Sequence, residues 1–209
     1  MQLIEHLKWR YATKQFDPTR KVPAEDLEKI KKAVQLSVSS YGLQLYKVLI
    51  IGDQELKKRL KPASFEQDQI TDSSHLIVFC NYTEVKDHHV DEFLERKSKI
   101  QNIDMQDLVD YGDFMKDDIN NKSNIEKPHW TARQTYLALG NLLTACAELK
   151  IDACPMEGFE PDQYNKILGL EEQGLNASVI ATIGYRTAND QRQFADKVRK
   201  PEHQLFEVI

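Results

Sequence analysis

The chain has 209 residues, 41% of them hydrophobic and 29% charged, with a formal net charge of −5. That length and balance describe one globular domain able to bury a sizeable core and exclude a disordered or coiled-coil chain. The acidic surplus excludes a general nucleic-acid binder, which needs a basic surface to displace counterions.

No apolar run reaches the roughly 18 to 20 residues that span a bilayer. The opening MQLIEHLKWR lacks the apolar region and cleavage site of a signal peptide. The expectation is a cytoplasmic protein that engages neither membrane nor nucleic acid. Cys80, Cys146 and Cys154 are odd in number and sit in apolar segments without a paired motif, which points to buried thiols rather than disulfides or zinc ligands.

In chain order, Leu3, Ile4 and Leu7 recur at helical spacing and predict a short amphipathic helix over Gln2 to Trp9. In the extended stretch Arg10-Tyr11-Ala12-Thr13-Lys14-Gln15-Phe16, Arg10, Ala12 and Lys14 share one side, so its two cations can grip one anion. Pro23 opens a helix near Ala24 to Leu36, with Glu25 and Asp26 in its first turn and Leu27, Ile30 and Val34 facing inward. The hydroxyl-rich loop Ser37-Val38-Ser39-Ser40-Tyr41-Gly42 follows, then a strand at Val48 to Ile51. Asp53 caps a short helix to Leu60. Lys61 to Ser74 is polar and leads into a buried strand, Leu76 to Cys80. Gln67 and Gln69 in that polar segment carry donors and acceptors that suit a heterocyclic imide edge, though solvated surface amides are the commoner case.

Residues 84 to 129 are strongly polar and predict exposed helices forming a lid, with Phe93, Leu94, Leu108, Tyr111 and Phe114 scattered through them. His88 and His89 lack the companions a metal site needs. From Tyr136 to Leu149 only Asn141, Thr144 and Glu148 are polar, so a helix there is expected to lie at the centre of the molecule. It delivers Pro155-Met156-Glu157-Gly158-Phe159, where proline sets one dihedral and glycine lets a flat ligand approach the backbone. A helix around Pro161 to Leu168 and a strand at Ala177 to Ile183 complete an alternation that predicts a mixed or partly parallel sheet. Lys197-Val198-Arg199-Lys200 is a local basic cluster, and the apolar terminus Phe206 to Ile209 needs a surface, slightly favouring its own subunit over a partner.

There is no Gly-x-Gly-x-x-Gly after a strand, no phosphate loop ending in Gly-Lys-Ser/Thr and no Gly-x-Ser-x-Gly elbow. A phosphorylated cofactor would therefore have to use scattered cations, of which Arg10, Lys197 and Arg199 are the candidates.

Five segments in register, RYATKQFD (10 to 17), SVSSYGLQ (37 to 44), DSSHLIVF (72 to 79) with the polar loop before it, PMEGF (155 to 159) and KVRK (197 to 200), give the whole chain a resemblance to the FMN-dependent nitroreductase family. The likeness is strongest to its oxygen-insensitive NAD(P)H nitroreductase and flavin reductase branch. It implies a single domain over residues 1 to 209 with an α+β three-layer fold, in which a mixed, mostly antiparallel sheet is flanked by helices. Residues 84 to 129 would be a helical lid, and 200 to 209 a tail reaching the partner of an intertwined homodimer.

The resemblance further implies FMN at the subunit interface. Arg10, Lys197 and Arg199 match its phosphate ligands. Lys14 matches the lysine near N1 and O2, where a cation stabilises negative charge on the ring. Ser39, Ser40 and Gly42 match the partner's loop, Gln67 or Gln69 the pyrimidine edge, and the backbone of Pro155, Met156, Glu157 and Gly158 the segment facing N5. Tyr11 and Ala12 replace the histidine or serine frequent in relatives, so contacts there are expected through the backbone. Gln44-Leu45-Tyr46 after Gly42 replaces the usual Gln-Pro-Trp, which alters the substrate pocket that Tyr41 and Phe114 would shape.

The implied reaction is ping-pong hydride transfer from NADH or NADPH to a nitroaromatic, a quinone or another small-molecule oxidant. No catalytic acid-base side chain is required. A pteridine or free-flavin reductase and a non-catalytic FMN-binding protein are the alternatives.

Overall fold

The computed structural model describes all 209 residues, Met1 to Ile209. Nine helices and four strands follow in chain order: α1 (Gln2–Trp9), α2 (Ala24–Gln35), β1 (Tyr46–Ile51), α3 (Gln54–Leu60), α4 (Gln69–Asp72), β2 (His75–Tyr82), α5 (Asp87–Gln101), α6 (Val109–Asn120), α7 (Glu126–Glu148), β3 (Asp152–Met156), α8 (Pro161–Leu168), β4 (Leu175–Gly184) and α9 (Glu202–Leu205). The strands form one sheet in the order β1-β2-β4-β3.

Every pair of neighbouring strands is antiparallel. The parallel component expected from the alternation of strands and helices shrinks to one isolated bridge, Ala12 to Ala153. The connections all run through helices; those from β1 to β2 and from β3 to β4 return the chain in the opposite sense, and the one from β2 to β3 keeps the same sense but leaves a gap that β4 fills.

The two central strands, β2 and β4, bury both faces, so β2 reads as a nearly continuous apolar run. On β2, Leu76, Val78 and Cys80 join one core with Leu60, Tyr164 and Leu170. Ile77 and Phe79 point the other way, into a core with Ile30, Val34, Leu139 and Leu142. Side-chain alternation thus sorts one strand into two layers, giving helix, sheet, helix. A third cluster, with Val90, Leu94, Leu108, Met115 and Ile119 at its centre, holds α5 and α6 together and packs on Leu43 and Leu45. This helical excursion therefore has its own small core.

Local signals act where expected. Asp53 accepts from the Leu56 amide at 2.7 Å and starts α3. Pro23 stands at the N-cap of α2. The central helix begins earlier than the apolar run suggests, at Glu126, because Pro128 falls within its first turn, where a missing N–H costs nothing.

Three apolar expectations differ from what the fold does. Tyr136 and Leu137 on α7 are 43% and 50% exposed, because sheet and α2 cover only one side of that helix. Leu3 and Ile4 on α1 are exposed, while His6 is buried and bonded to Glu148 Oε2 at 2.6 Å. The terminal Phe206, Val208 and Ile209 lie off the surface of their own chain, against the expectation of self-closure.

Lys57 is fully buried, with Nζ donating to the Ser73 carbonyl at 2.6 Å. Burial first, and nearby Lys21 second, push its pKa down to about 8, against the pull of Asp72. Above that value the native state has released a proton that the unfolded chain keeps up to 10.5, so Lys57's contribution to stability rises with pH across this window. From about pH 8 to about pH 10 the wild type should gain about 2 kcal/mol relative to Lys57→Met in urea unfolding. A difference that stays flat with pH would contradict the buried position.

Candidate functional site

Segment 10 to 16 leaves α1 at Arg10, whose backbone turns extended (φ −69°, ψ 144°). It then lies along β3 through the Ala12 to Ala153 bridge and the Thr13 amide, which donates to the Ala153 carbonyl at 3.4 Å. Thr13 and Phe16 point into the protein and leave Arg10, Ala12 and Lys14 less buried.

Two buried carboxylates hold this segment. Asp190 Oδ2 accepts from Tyr11 Oη at 2.9 Å, Lys14 N at 2.9 Å and Gln15 N at 3.2 Å, while its Oδ1 accepts from Arg192 N at 3.1 Å. Burial alone would raise the Asp190 carboxyl; the four donors together bring it below the usual range. Asp152 accepts from Arg186 Nε at 2.7 Å and Arg186 N at 2.8 Å, and from Thr13 Oγ1 at 3.3 Å. The Arg186 guanidinium sits between the Trp9 and Tyr11 rings, 4.4 and 4.5 Å from their centroids.

At the end of α1 three cations converge. Burial, then the proximity of Arg199, lowers the pKa of Arg10; burial, then Arg10 and Arg199, lowers that of Lys197. Lys197 Nζ donates to the Lys8 carbonyl, and Arg199 Nη1 to the Val198 carbonyl at 2.7 Å. None of the three pairs with a carboxylate. Arg10 Nε is buried without any hydrogen-bond partner. Like charges held together around an unsatisfied donor fit a phosphate group, which would supply acceptors and cancel the repulsion.

Beyond Arg10, Lys14 Nζ lies 3.4 Å from Cys154 Sγ. Next on β3 comes the PMEGF loop. Gln67 Nε2 donates to the Gly158 carbonyl at 2.7 Å and the Ser64 carbonyl at 3.0 Å, and Gln69 Nε2 donates to Gln67 Oε1 at 3.1 Å. The paired glutamines are thus brought to the glycine loop, with Gln67 tying it down. A Cβ on Gly158 would stand 3.3 Å from Gln67 Nε2, so the glycine leaves room for Gln67 to close on its carbonyl. Glu157 Oε1 accepts from Tyr136 Oη at 2.7 Å.

The serine loop forms a separate group. Ser40 N donates to Gln134 Oε1 at 3.2 Å, Ser40 Oγ accepts from Trp130 Nε1 at 3.1 Å, and Ser39 Oγ accepts from Gln44 N at 3.0 Å. Tyr41 (φ 56°) and Gly42 (φ 77°) are both left-handed, a conformation that strains the tyrosine. The Tyr41 hydroxyl donates to Asp118 Oδ2 at 2.9 Å, and its ring meets Phe114 edge-on at 6.4 Å. No hydrogen bond within one chain joins Ser39, Ser40, Tyr41, Gly42 or Phe114 to Arg10, Lys14 or Gly158.

Asp190, Asp152, Arg186, Cys154, Tyr136 and Trp130 were not singled out from the sequence for these roles. Only the odd placement of a cysteine directly before the PMEGF loop offered a local signal. An apolar cleft of about 420 Å³ lies between α2 and β1, lined by Leu27, Ile30, Val34 and Val48 and reaching Gly42 at the end of the serine loop. No helix is long and apolar enough to cross a membrane.

The model of the nitroreductase family matches residues 7–185. The chain is 30% identical over 217 residues to an oxygen-insensitive NAD(P)H nitroreductase of Salmonella typhimurium, with 100% of both chains covered. Its fold is similar to that of a Bacillus subtilis protein described as a nitroreductase, with TM-score 0.90, 21% identity and coverage of 100% and 99%. It is also similar to an Exiguobacterium sibiricum protein described as a nitroreductase and solved in complex with FMN, with TM-score 0.85, 20% identity and coverage of 100% and 98%.

Proposed function

Because the chain belongs to the nitroreductase family, we propose that it is an FMN-dependent oxidoreductase that uses NADH or NADPH to reduce nitroaromatics, quinones or related small oxidants. The observation that carries this is the convergence of Arg10, Lys197 and Arg199 around the buried, partnerless Arg10 Nε. When bound, FMN supplies a ring that takes hydride from a reduced nicotinamide and passes it to the oxidant.

The chain's own residues bind and orient. Arg10, Lys197 and Arg199 hold the phosphate by charge-assisted hydrogen bonds. Tyr11 and Ala12 contribute backbone, held in place by Asp190 and by the bridge to β3. Lys14 places a positive charge beside the pyrimidine side of the ring. Gln67 fixes the loop of Pro155 to Gly158, and Gln69, whose Oε1 accepts no bond within the chain, reads the ring edge. Gly158 admits the ring close to the backbone.

The site is completed by a second copy. Ser39, Ser40 and Gly42 come from the partner of a homodimer, and Tyr41 and Phe114 shape the open face. The exposed Leu3, Ile4, Tyr136 and Leu137, together with the tail around Phe206 and Val208, supply apolar surface for a partner to cover. The three cysteines are free and buried, in keeping with a cytoplasmic setting.

The test is the visible spectrum of the purified protein under anaerobic conditions. The flavin band should bleach on adding NADH or NADPH and return with a nitroaromatic. In sedimentation the same preparation should run as a dimer. A colourless protein that takes up no added FMN, or a band that NAD(P)H leaves intact, refutes the assignment; an FMN-loaded monomer refutes the shared site.

A further inference from the structure

We propose that Cys154 is a positioning residue for Lys14: its thiol anchors the lysine ammonium against the glycine loop without cancelling the charge. The inference rests on the placement of Lys14 beside the flavin ring and adds to it the residue that keeps the cation there.

Cys154 is fully buried on β3, on the face that joins Met156 and Tyr164 in one core. Its Sγ accepts from Lys14 Nζ at 3.4 Å and lies 3.7 Å from the carbonyl of Pro155, to which the S–H can donate. A single sulfur thus links the lysine to the first residue of the PMEGF loop. Lys14 Nζ has no other hydrogen bond and no ion pair. The two nearby carboxylates are already engaged, Asp152 by Arg186 and Thr13, Asp190 by Tyr11 and three backbone amides.

The chemical identity of the anchor matters. A carboxylate at this position would pair with the ammonium and remove most of its field. An alkyl group would leave a flexible four-carbon chain free to swing into water. A thiol accepts a weak hydrogen bond and stays neutral. Burial raises the Cys154 thiol even with Lys14 beside it, so the sulfur stays neutral at neutral pH and offers the ammonium no counter-charge.

The experiment compares the FMN-loaded wild type with Cys154→Ala, Lys14→Ala, the double variant and Cys154→Ser, measuring FMN affinity, the flavin midpoint potential and thermal stability. Lys14→Ala should lower the ratio of reduced to oxidised flavin at a fixed potential about tenfold, a shift of about 30 mV for a two-electron couple. Cys154→Ala should lower it about threefold, roughly half as many millivolts, and should add nothing once Lys14 is gone. Cys154→Ser, which restores a neutral acceptor, should recover most of the loss.

A purely structural role for Cys154 predicts lower thermal stability and the same potential shift in both backgrounds, and that result overturns the proposal. So does an unshifted potential in Cys154→Ala alongside a shifted one in Lys14→Ala. If the alanine variant fails to fold, Cys154→Val takes its place, since it fills the space and cannot accept a bond. A wild type that takes up no FMN refutes the oxidoreductase assignment itself, and the proposal falls with it.

Discussion

Arg10→Ala should weaken FMN retention roughly 100-fold, close to 3 kcal/mol, the upper part of the range for a hydrogen bond to a charged group. Arg10 is singled out because its Nε is buried with no partner and so stands to gain most when an anion arrives. The same substitution has the opposite sign in the FMN-free protein. Burial first, and then their mutual repulsion, lowers the pKa values of Arg10 and Lys197 there, so removing one charge relieves the others. Arg199→Ala should cost less, about tenfold, because Arg199 lies on an exposed segment and its bonds are screened by water and salt. Titration of the apoprotein with FMN measures both. An Arg10→Ala protein with wild-type affinity would remove the cation cluster from the phosphate site.

Asp152→Ala should destabilise the fold by about 3 to 5 kcal/mol, the usual cost of stripping a buried charge of its partner. Asp152 is 4% exposed and holds Arg186 through both Nε and the backbone amide. Without it the guanidinium stays trapped between Trp9 and Tyr11 with no counter-charge. Removing both ends, Asp152→Ala with Arg186→Met, should recover part of the loss, since neither charge is then left buried alone. Urea unfolding of the four proteins without added FMN gives the cycle. Losses in the two single variants that simply add would mean that the pair is not coupled. Because Asp152 also receives Thr13, the Asp152→Ala protein should in addition hold FMN less tightly, through a loosened segment 10 to 16.

Much of the site is carried by short stretches whose chemistry is local. The PMEGF loop needs only proline and glycine at the end of a strand, and α2 and α3 start where Pro23 and Asp53 place them. The inward residues Ile30 and Val34 follow from helical spacing alone. The family likeness rests on five such pieces in order. What the pieces do to one another was not legible. Gln67 looked like a free amide and is bound to Gly158. Asp190 carries no local signal in the sequence and gathers four donors.

What the sequence determined unaided is therefore several of the longer elements, the starts of α2 and α3, the loops that could face a flat ligand and the family to which they point, because these depend on backbone preferences and side-chain period over a few neighbouring residues. Only the tertiary structure decided that every neighbouring strand pair is antiparallel, that one side of α7 stays uncovered and that Arg10 meets Lys197 from the opposite end of the chain. Those outcomes depend on how layers pack and which charges share a buried space, and no local pattern encodes a distance between segments so far apart along the chain.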